Sequence, residues 1–164
     1  MKKLVLVAAI LLAAVSAKAQ DYNWAAGVRG GGTASGVNIK HILSDGNAFE
    51  LSFDYLYPYT QDNGTRQNAG KVLTGFYEWN APLQNDSFIF YAGFGGHVGA
   101  ASKTKSLEND PVTRFLVGID GVAGIEYKIP NFPIAFSIDW RPFFEFATMN
   151  PRLYNAGIGV KLCF

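Results

Sequence analysis

Two histidines, His41 and His97, are the side chains best suited to moving a proton near neutral pH. His97, oriented by Asp120 or Asp139, has the makings of a general base. Such a base needs a nucleophile or a metal beside it, and no Ser-His-Asp or metal-ligand spacing accompanies it. The single cysteine, Cys163, excludes an internal disulfide and a cysteine-based zinc cluster. The run Gly93–Gly99 has the composition of a phosphate cradle, but no helix pattern follows it to supply the positive dipole end. The aromatics Tyr55, Tyr57, Tyr59, Trp79, Trp140, Phe144 and Phe146 could stack on sugars or bases, or could form a belt at a membrane interface. What remains is a set of charges spread over the whole chain: Arg29, Lys40, Glu50, Asp54, Glu78, Asp120, Glu126, Lys128, Asp139, Arg141, Glu145 and Lys161. Their meaning depends on the elements that carry them.

Those elements read as strands. The closing segment alternates Tyr154, Ala156, Ile158, Val160, Leu162 and Phe164 with Asn155, Gly157, Gly159, Lys161 and Cys163. A period of two at this length is a strand with one apolar and one small or polar face. The same alternation is clearest in Phe49–Tyr59, where Phe49, Leu51, Phe53, Tyr55, Tyr57 and Tyr59 oppose Glu50, Ser52, Asp54, Leu56 and Pro58. Further strands are expected over Tyr22–Gly31, Val37–Leu43, Lys71–Asn80, Phe88–Gly99, Leu116–Ile129 and Ile134–Phe146. In every one of them the charges named above, and His97, fall on the face opposite the larger apolar residues; His41 falls with the apolar face. Pro142 breaks the pattern, since a proline has no donor for a neighbouring strand; a bulge or the rim of a sheet would accommodate it. The expected connections are Gly30–Gly36, Ser44–Asn47, Gln61–Gln67, Pro82–Ser87, Ala100–Phe115, Pro130–Pro133 and Met149–Leu153. The first, third, fifth and seventh include the longest; the others are uniformly short.

The amino terminus reads as a cleavable leader. Lys2 and Lys3 precede the apolar run Leu4–Val15, and Ala17-Lys18-Ala19 is a small-x-small cleavage site before Gln20. Residues 1–19 are therefore assigned as a signal peptide and 20–164 as one domain. Three of the 14 Lys and Arg residues lie in that leader, leaving 11 against 13 acidic residues, a net charge of −2. Such a balance excludes the basic footprint of a nucleic-acid binder. With 24 aromatic residues and 18 glycines, and no later stretch apolar enough for a membrane helix, the exported chain points to β-structure in or near a membrane.

About eight strands of roughly ten residues suit the smallest transmembrane barrels, with an apolar face toward lipid and a polar face inside. The fold expected is an all-β, eight-stranded antiparallel up-and-down transmembrane barrel. At that strand number side chains fill the interior, so the charges must pair within the lumen rather than line an open channel.

Three segments, Gly93–Gly99, Gly124–Lys128 and Ser137–Pro142, resemble the small outer-membrane β-barrels of Gram-negative bacteria, including the transmembrane domain of the outer membrane protein A family. The resemblance implies residence in the outer membrane, assembly by the barrel-assembly machinery, and contact with outer-membrane lipids and lipopolysaccharide. It further implies that Tyr154, Gly157, Val160, Leu162 and Phe164 form the closing-strand signal which that machinery reads. Neither catalysis, metal nor cofactor is implied, and a monomer is expected. Lys103, Lys105 and Arg114 of the long polar connection are the candidate contacts for lipopolysaccharide phosphates. Three rival readings stand beside this structural or surface-binding one: a small lipid-modifying enzyme using His97, a narrow porin for small solutes, and a soluble barrel with an internal ligand cavity.

Overall fold

The computed structural model describes residues 22–60, 66–83, 87–104, 112–146 and 150–164. The leader assigned to residues 1–19, and Lys105, lie outside them. The described chain is built from strands: β1 (Trp24–Gly31), β2 (Ala34–Ile42), β3 (Ala48–Leu56), β4 (Tyr59–Thr60), β5 (Arg66–Pro82), β6 (Phe88–Thr104), β7 (Val112–Lys128), β8 (Ile134–Trp140), β9 (Phe143–Glu145), β10 (Asn150–Arg152) and β11 (Ala156–Cys163). Short breaks separate β3 from β4, β8 from β9 and β10 from β11, and the segments flanking each break act as one stave. The result is eight staves, each antiparallel to its neighbours. β11 closes the ring on β1, with Val28 opposite Val160 and Ala25 opposite Cys163. The seam ends on a reciprocal pair of backbone bonds, Trp24 N to Phe164 O at 3.0 Å and Phe164 N to Trp24 O at 2.8 Å. Closure leaves no sheet edge along this seam to seek other partners.

Alternation decides what each face meets. In β3 every second residue is buried and the others are exposed without exception. Leu51, Phe53, Val160, Ile125, Phe136 and Ile138 stand on the outer wall, each at least 43% exposed. A soluble protein does not leave so continuous an apolar surface uncovered. Aromatic side chains concentrate toward both ends of the wall. Trp24 stacks on His41 near the end carrying both strand termini, with ring centroids 4.2 Å apart, and Phe49, Tyr77 and Trp79 meet edge-on beside them. Tyr55 and Tyr57 meet edge-on at the other end.

The turns follow local chemistry. At the Asp45-Gly46 hairpin the glycine takes the positive φ, at 84°, and Asp45 Oδ1 accepts from the Asn47 amide at 3.0 Å. Asn131, at φ 62°, serves the Pro130–Pro133 turn in the same way. Pro142 sits in the break between β8 and β9. Trp140 pairs with Ala156 and Phe143 with Arg152, so three steps on one stave face four on the next. That extra residue is a bulge. It turns Leu153 and Tyr154 outward in succession, before Asn155 faces the lumen.

Several connections differ from expectation: Met149–Leu153 carries the short strand β10, β5 begins at Arg66 inside Gln61–Gln67, and two further differences are larger. Gly30–Gly36 is not a loop: β1 and β2 run through most of it, and only Gly32 and Thr33 link them. Small residues are needed in these strands because Gly31 lies against the Ala156–Gly157 backbone and Gly36 against Asp54. Likewise β6 continues to Thr104 and β7 starts at Val112, so both ends of the expected Ala100–Phe115 loop are strand. The described barrel is consequently lopsided. β5, β6 and β7 have 17 residues each, against eight or nine in β1, β2 and β3.

Candidate functional site

The inward faces of the staves meet in a lumen packed with charge. Arg29, Lys40, Glu50, Asp54, Glu78, His97, Asp120, Glu126, Asp139, Arg141, Glu145 and Lys161 are all at most 9% exposed. Lys128 is half-buried at the end carrying the termini, its ammonium 4.3 Å from the centre of the Tyr22 ring. His41 lies on the outer wall.

Two linked groups of ion pairs occupy the middle. In the first, Lys161 reaches Glu50 at 3.1 Å and donates to Glu126 at 3.0 Å. Lys40 lies 2.8 Å from Glu78 and 4.0 Å from Glu126, and donates to Asn80 Oδ1 at 3.2 Å. The Tyr22 hydroxyl caps Glu126 with a 2.5 Å bond. In the second group Arg29 Nε donates to Asp139 Oδ1 at 2.7 Å, and Arg141 Nη2 reaches both Asp139 Oδ2 at 3.0 Å and Glu50 at 2.8 Å. Glu50 therefore joins the groups. Tyr91, fully buried, stands between them: its ring centre is 4.7 Å from the Lys40 ammonium and 5.5 Å from that of Lys161, and its hydroxyl lies 3.4 Å from Asp139. Removing charges from water is repaid only by such close pairing, and Lys161, Lys40, Glu50, Glu126, Asp139 and Arg141 are each shared by more than one partner.

Glycine spacing makes the room. A Cβ on Gly124 would sit 2.6 Å from the Tyr91 Cζ and hydroxyl, and one on Gly157 would sit 2.6 Å from the Arg29 guanidinium. The polar residues of β7 and β11 thus share their inward faces with glycine positions that have no room for a Cβ.

Apolar layers bound this core. At the end holding the termini, Tyr22, Ala25, Ala135 and Cys163 pack together. Toward the opposite rim, Ala34, Leu56, Val72, Ala101 and Leu116 form a collar. Between collar and ion pairs lies a second polar region. His97 Nδ1 is 2.9 and 3.1 Å from the two Asp120 oxygens, and Ser52 donates to Asp54 at 2.5 Å. His97 and Asp120 thus do come together, as a buried pair facing the lumen rather than a site open at the rim. Asp139 is taken by arginines. No cluster of three or more His, Cys, Asp or Glu suited to a metal occurs among the described residues.

Several participants were not singled out by the sequence. Tyr22, expected as the first residue of the Tyr22–Gly31 strand, lies just before β1 and turns its hydroxyl to Glu126. Asn155 keeps the inward parity of Gly157, Gly159 and Lys161, and Asn38, Ser52 and Thr74 are likewise uncharged inward residues whose sole signal was parity. The closing-strand residues are placed as follows. Val160 and Phe164 stand on the outer wall with Leu162 partly covered beside them, Gly157 faces inward against Arg29, and Tyr154 lies in the bulge before β11 at 90% exposure.

Among solved structures, the chain is similar to the N-terminal β-barrel domain of Pseudomonas aeruginosa OprF, with a TM-score of 0.64 and 15% identity over 87% of this chain and 98% of that one. It has the fold of the small eight-stranded outer-membrane β-barrels. Neisserial surface protein A is a second structure with this fold, at a TM-score of 0.56 and 11% identity, covering 86% of this chain and 94% of that one. By sequence, an uncharacterized protein of Haemophilus influenzae (strain ATCC 51907 / DSM 11121 / KW20 / Rd) is 28% identical over 157 residues, spanning 80% of this chain and 83% of the relative. No family model matches. The outer-membrane barrel fold accounts for a wall that is apolar outside and charged inside.

Proposed function

We propose that this chain is an outer-membrane barrel with a structural or surface-binding role and a lumen closed to ions. The observation that carries the reading is the lumen itself: paired charges fill its middle and apolar side chains pack across it on either side. An ion entering would have to separate those pairs in a medium of low dielectric, where an unpaired charge is very costly. Lipid covers the outer wall, and the barrel works as a monomer. The assembly machinery reads its last stave, Tyr154 to Phe164, during insertion. The longer rim meets lipopolysaccharide, with Lys103, Lys105 and Arg114 the candidate contacts for its phosphates. Catalysis is not part of this reading, because His97 is 4% exposed and its one polar partner among the described residues is Asp120.

Heat-modifiable mobility of the outer-membrane fraction, combined with planar-bilayer conductance of the purified barrel, tests it. The expected result is a band that shifts on boiling and a protein that passes no steady current. Steady, voltage-independent conductance would favour the narrow porin, and recovery in a detergent-free periplasmic extract would favour a soluble barrel. A change in outer-membrane lipid composition that His97→Ala abolishes would favour the enzyme.

A further inference from the structure

In the polar region below the collar several buried polar atoms have no hydrogen-bond partner among the described residues and border a void. In the ion-pair layer, by contrast, both unbonded oxygens of Glu50 and one of Glu78 lie within 3.1 Å of a lysine or arginine nitrogen. A cavity of about 30 Å³ opens there, lined in part by Asp54, His97, Arg141 and Asn155. Each of these residues is at most 7% exposed, and each has a buried polar atom that no protein group satisfies: Asp54 Oδ1, His97 Nε2, Arg141 Nε and Nη1, and Asn155 Oδ1. Leaving such atoms unsatisfied costs about 1–3 kcal/mol each, so their convergence on one void calls for an occupant.

The chemistry of the lining selects it. Arg141 offers only donors, and its other nitrogen, Nη2, is engaged by Glu50 and Asp139. Asp54 and the Asn155 carbonyl oxygen offer only acceptors. His97 Nδ1 faces a carboxylate, which accepts, so Nδ1 carries a hydrogen and Nε2 is the ring nitrogen left without a partner among the described residues. A cation would be welcome to the acceptors but would meet the Arg141 guanidinium; an anion would suit Arg141 but would meet Asp54 and Asp120. Water both donates and accepts. At roughly 10–15 Å³ of such volume per molecule, about two waters fit and larger guests do not.

We propose that this cavity is a specific hydration site, in which about two ordered water molecules bridge the Arg141 guanidinium to Asp54, His97 and Asn155. They complete the polar network where protein groups stop, and they link Arg141 to polar groups on β3, on β6 and in the bulge after β10. The inference rests on the closed-lumen geometry but not on the membrane in which the barrel sits.

The test is nuclear magnetic resonance of the folded full-length mature chain in detergent micelles, reading cross-relaxation between water and the His97 ring protons. Bound water gives nuclear Overhauser cross-peaks of the sign shown by water tumbling with the protein. Ala34→Leu, which fills the cavity from its lining, should abolish them while signals from β1 to β11 stay dispersed. If that variant does not fold, the wild-type spectrum alone decides. Absence of water cross-peaks at His97 overturns the proposal. Saturable shifts of the His97 or Asp54 resonances on titrating sodium, potassium or chloride overturn it in favour of an ion. Conductance is a separate readout, so a barrel that leaks yet shows the bound water would defeat the closed-lumen function and leave this site standing.

Discussion

The two polar regions of the lumen are built from the same residue types and solve burial in opposite ways. In the central layer, Lys161, Glu50 and Glu126 hold one another at about 3 Å, and every cation has at least one carboxylate in reach. Below the collar, Asp54 accepts from Ser52 and His97 meets Asp120, and both Asp54 and His97 line a small cavity. The first region is held by charge against charge, so removing a member strands its partners. The second tolerates change at Asp54, which has no cation within ion-pair distance among the described residues. Proximity in the lumen therefore does not tell how much a buried charge contributes; its partners do.

The sharpest way to break this contrast is Lys161→Met. It leaves Glu50 and Glu126 buried without their shared ammonium, and a loss of about 3–5 kcal/mol is expected, read as the urea midpoint of refolding into lipid vesicles. A charge on the other face probes the wall instead. Leu51→Arg should cost about 2–4 kcal/mol in the same assay, the penalty for a cation facing the middle of a bilayer. Gly124→Ala comes next, at about 1–3 kcal/mol, because its methyl group intrudes on Tyr91. Tyr91→Phe in that background should recover part of the loss by removing the hydroxyl. The smallest effect is expected at Asp54→Asn. A carboxylate without a cation gains little from its charge, so the change should stay within about 1 kcal/mol of zero. A loss as large as that of Lys161→Met would erase the distinction between the two regions.

Much of the fold was legible in the sequence because a barrel repeats one simple rule. Parity alone assigned Leu51 and Phe53 outward and Glu50 and Asp54 inward, and it did so for Ile125 against Glu126 and for Val160 against Lys161. The boundaries were less legible where glycine had two meanings. Gly30–Gly36 looks like a loop in composition, yet its glycines serve close approach between staves. Ala100–Phe115 looks like a polar loop, yet it carries β6 and β7 beyond the rest of the ring. The pairings within the lumen were not legible at all. Arg141 and Glu50 meet across 91 positions of sequence, and their meeting depends on how far each stave is offset from the next. The bulge opposite Pro142 was signalled only by the proline, whereas Asn155 simply keeps the inward parity of Gly157, Gly159 and Lys161.

The account as a whole depends on what covers the outer wall. Spin labels at Leu51, Ile125 and Val160, placed in a Cys163→Ala background so that the one native thiol does not react, report this directly by power-saturation electron paramagnetic resonance in reconstituted vesicles. The account predicts that all three relax strongly with dissolved oxygen and weakly with a water-soluble nickel chelate. Labels shielded from oxygen, or relaxed mainly by the nickel chelate, would mean that protein or water rather than lipid meets this wall, and would contradict it.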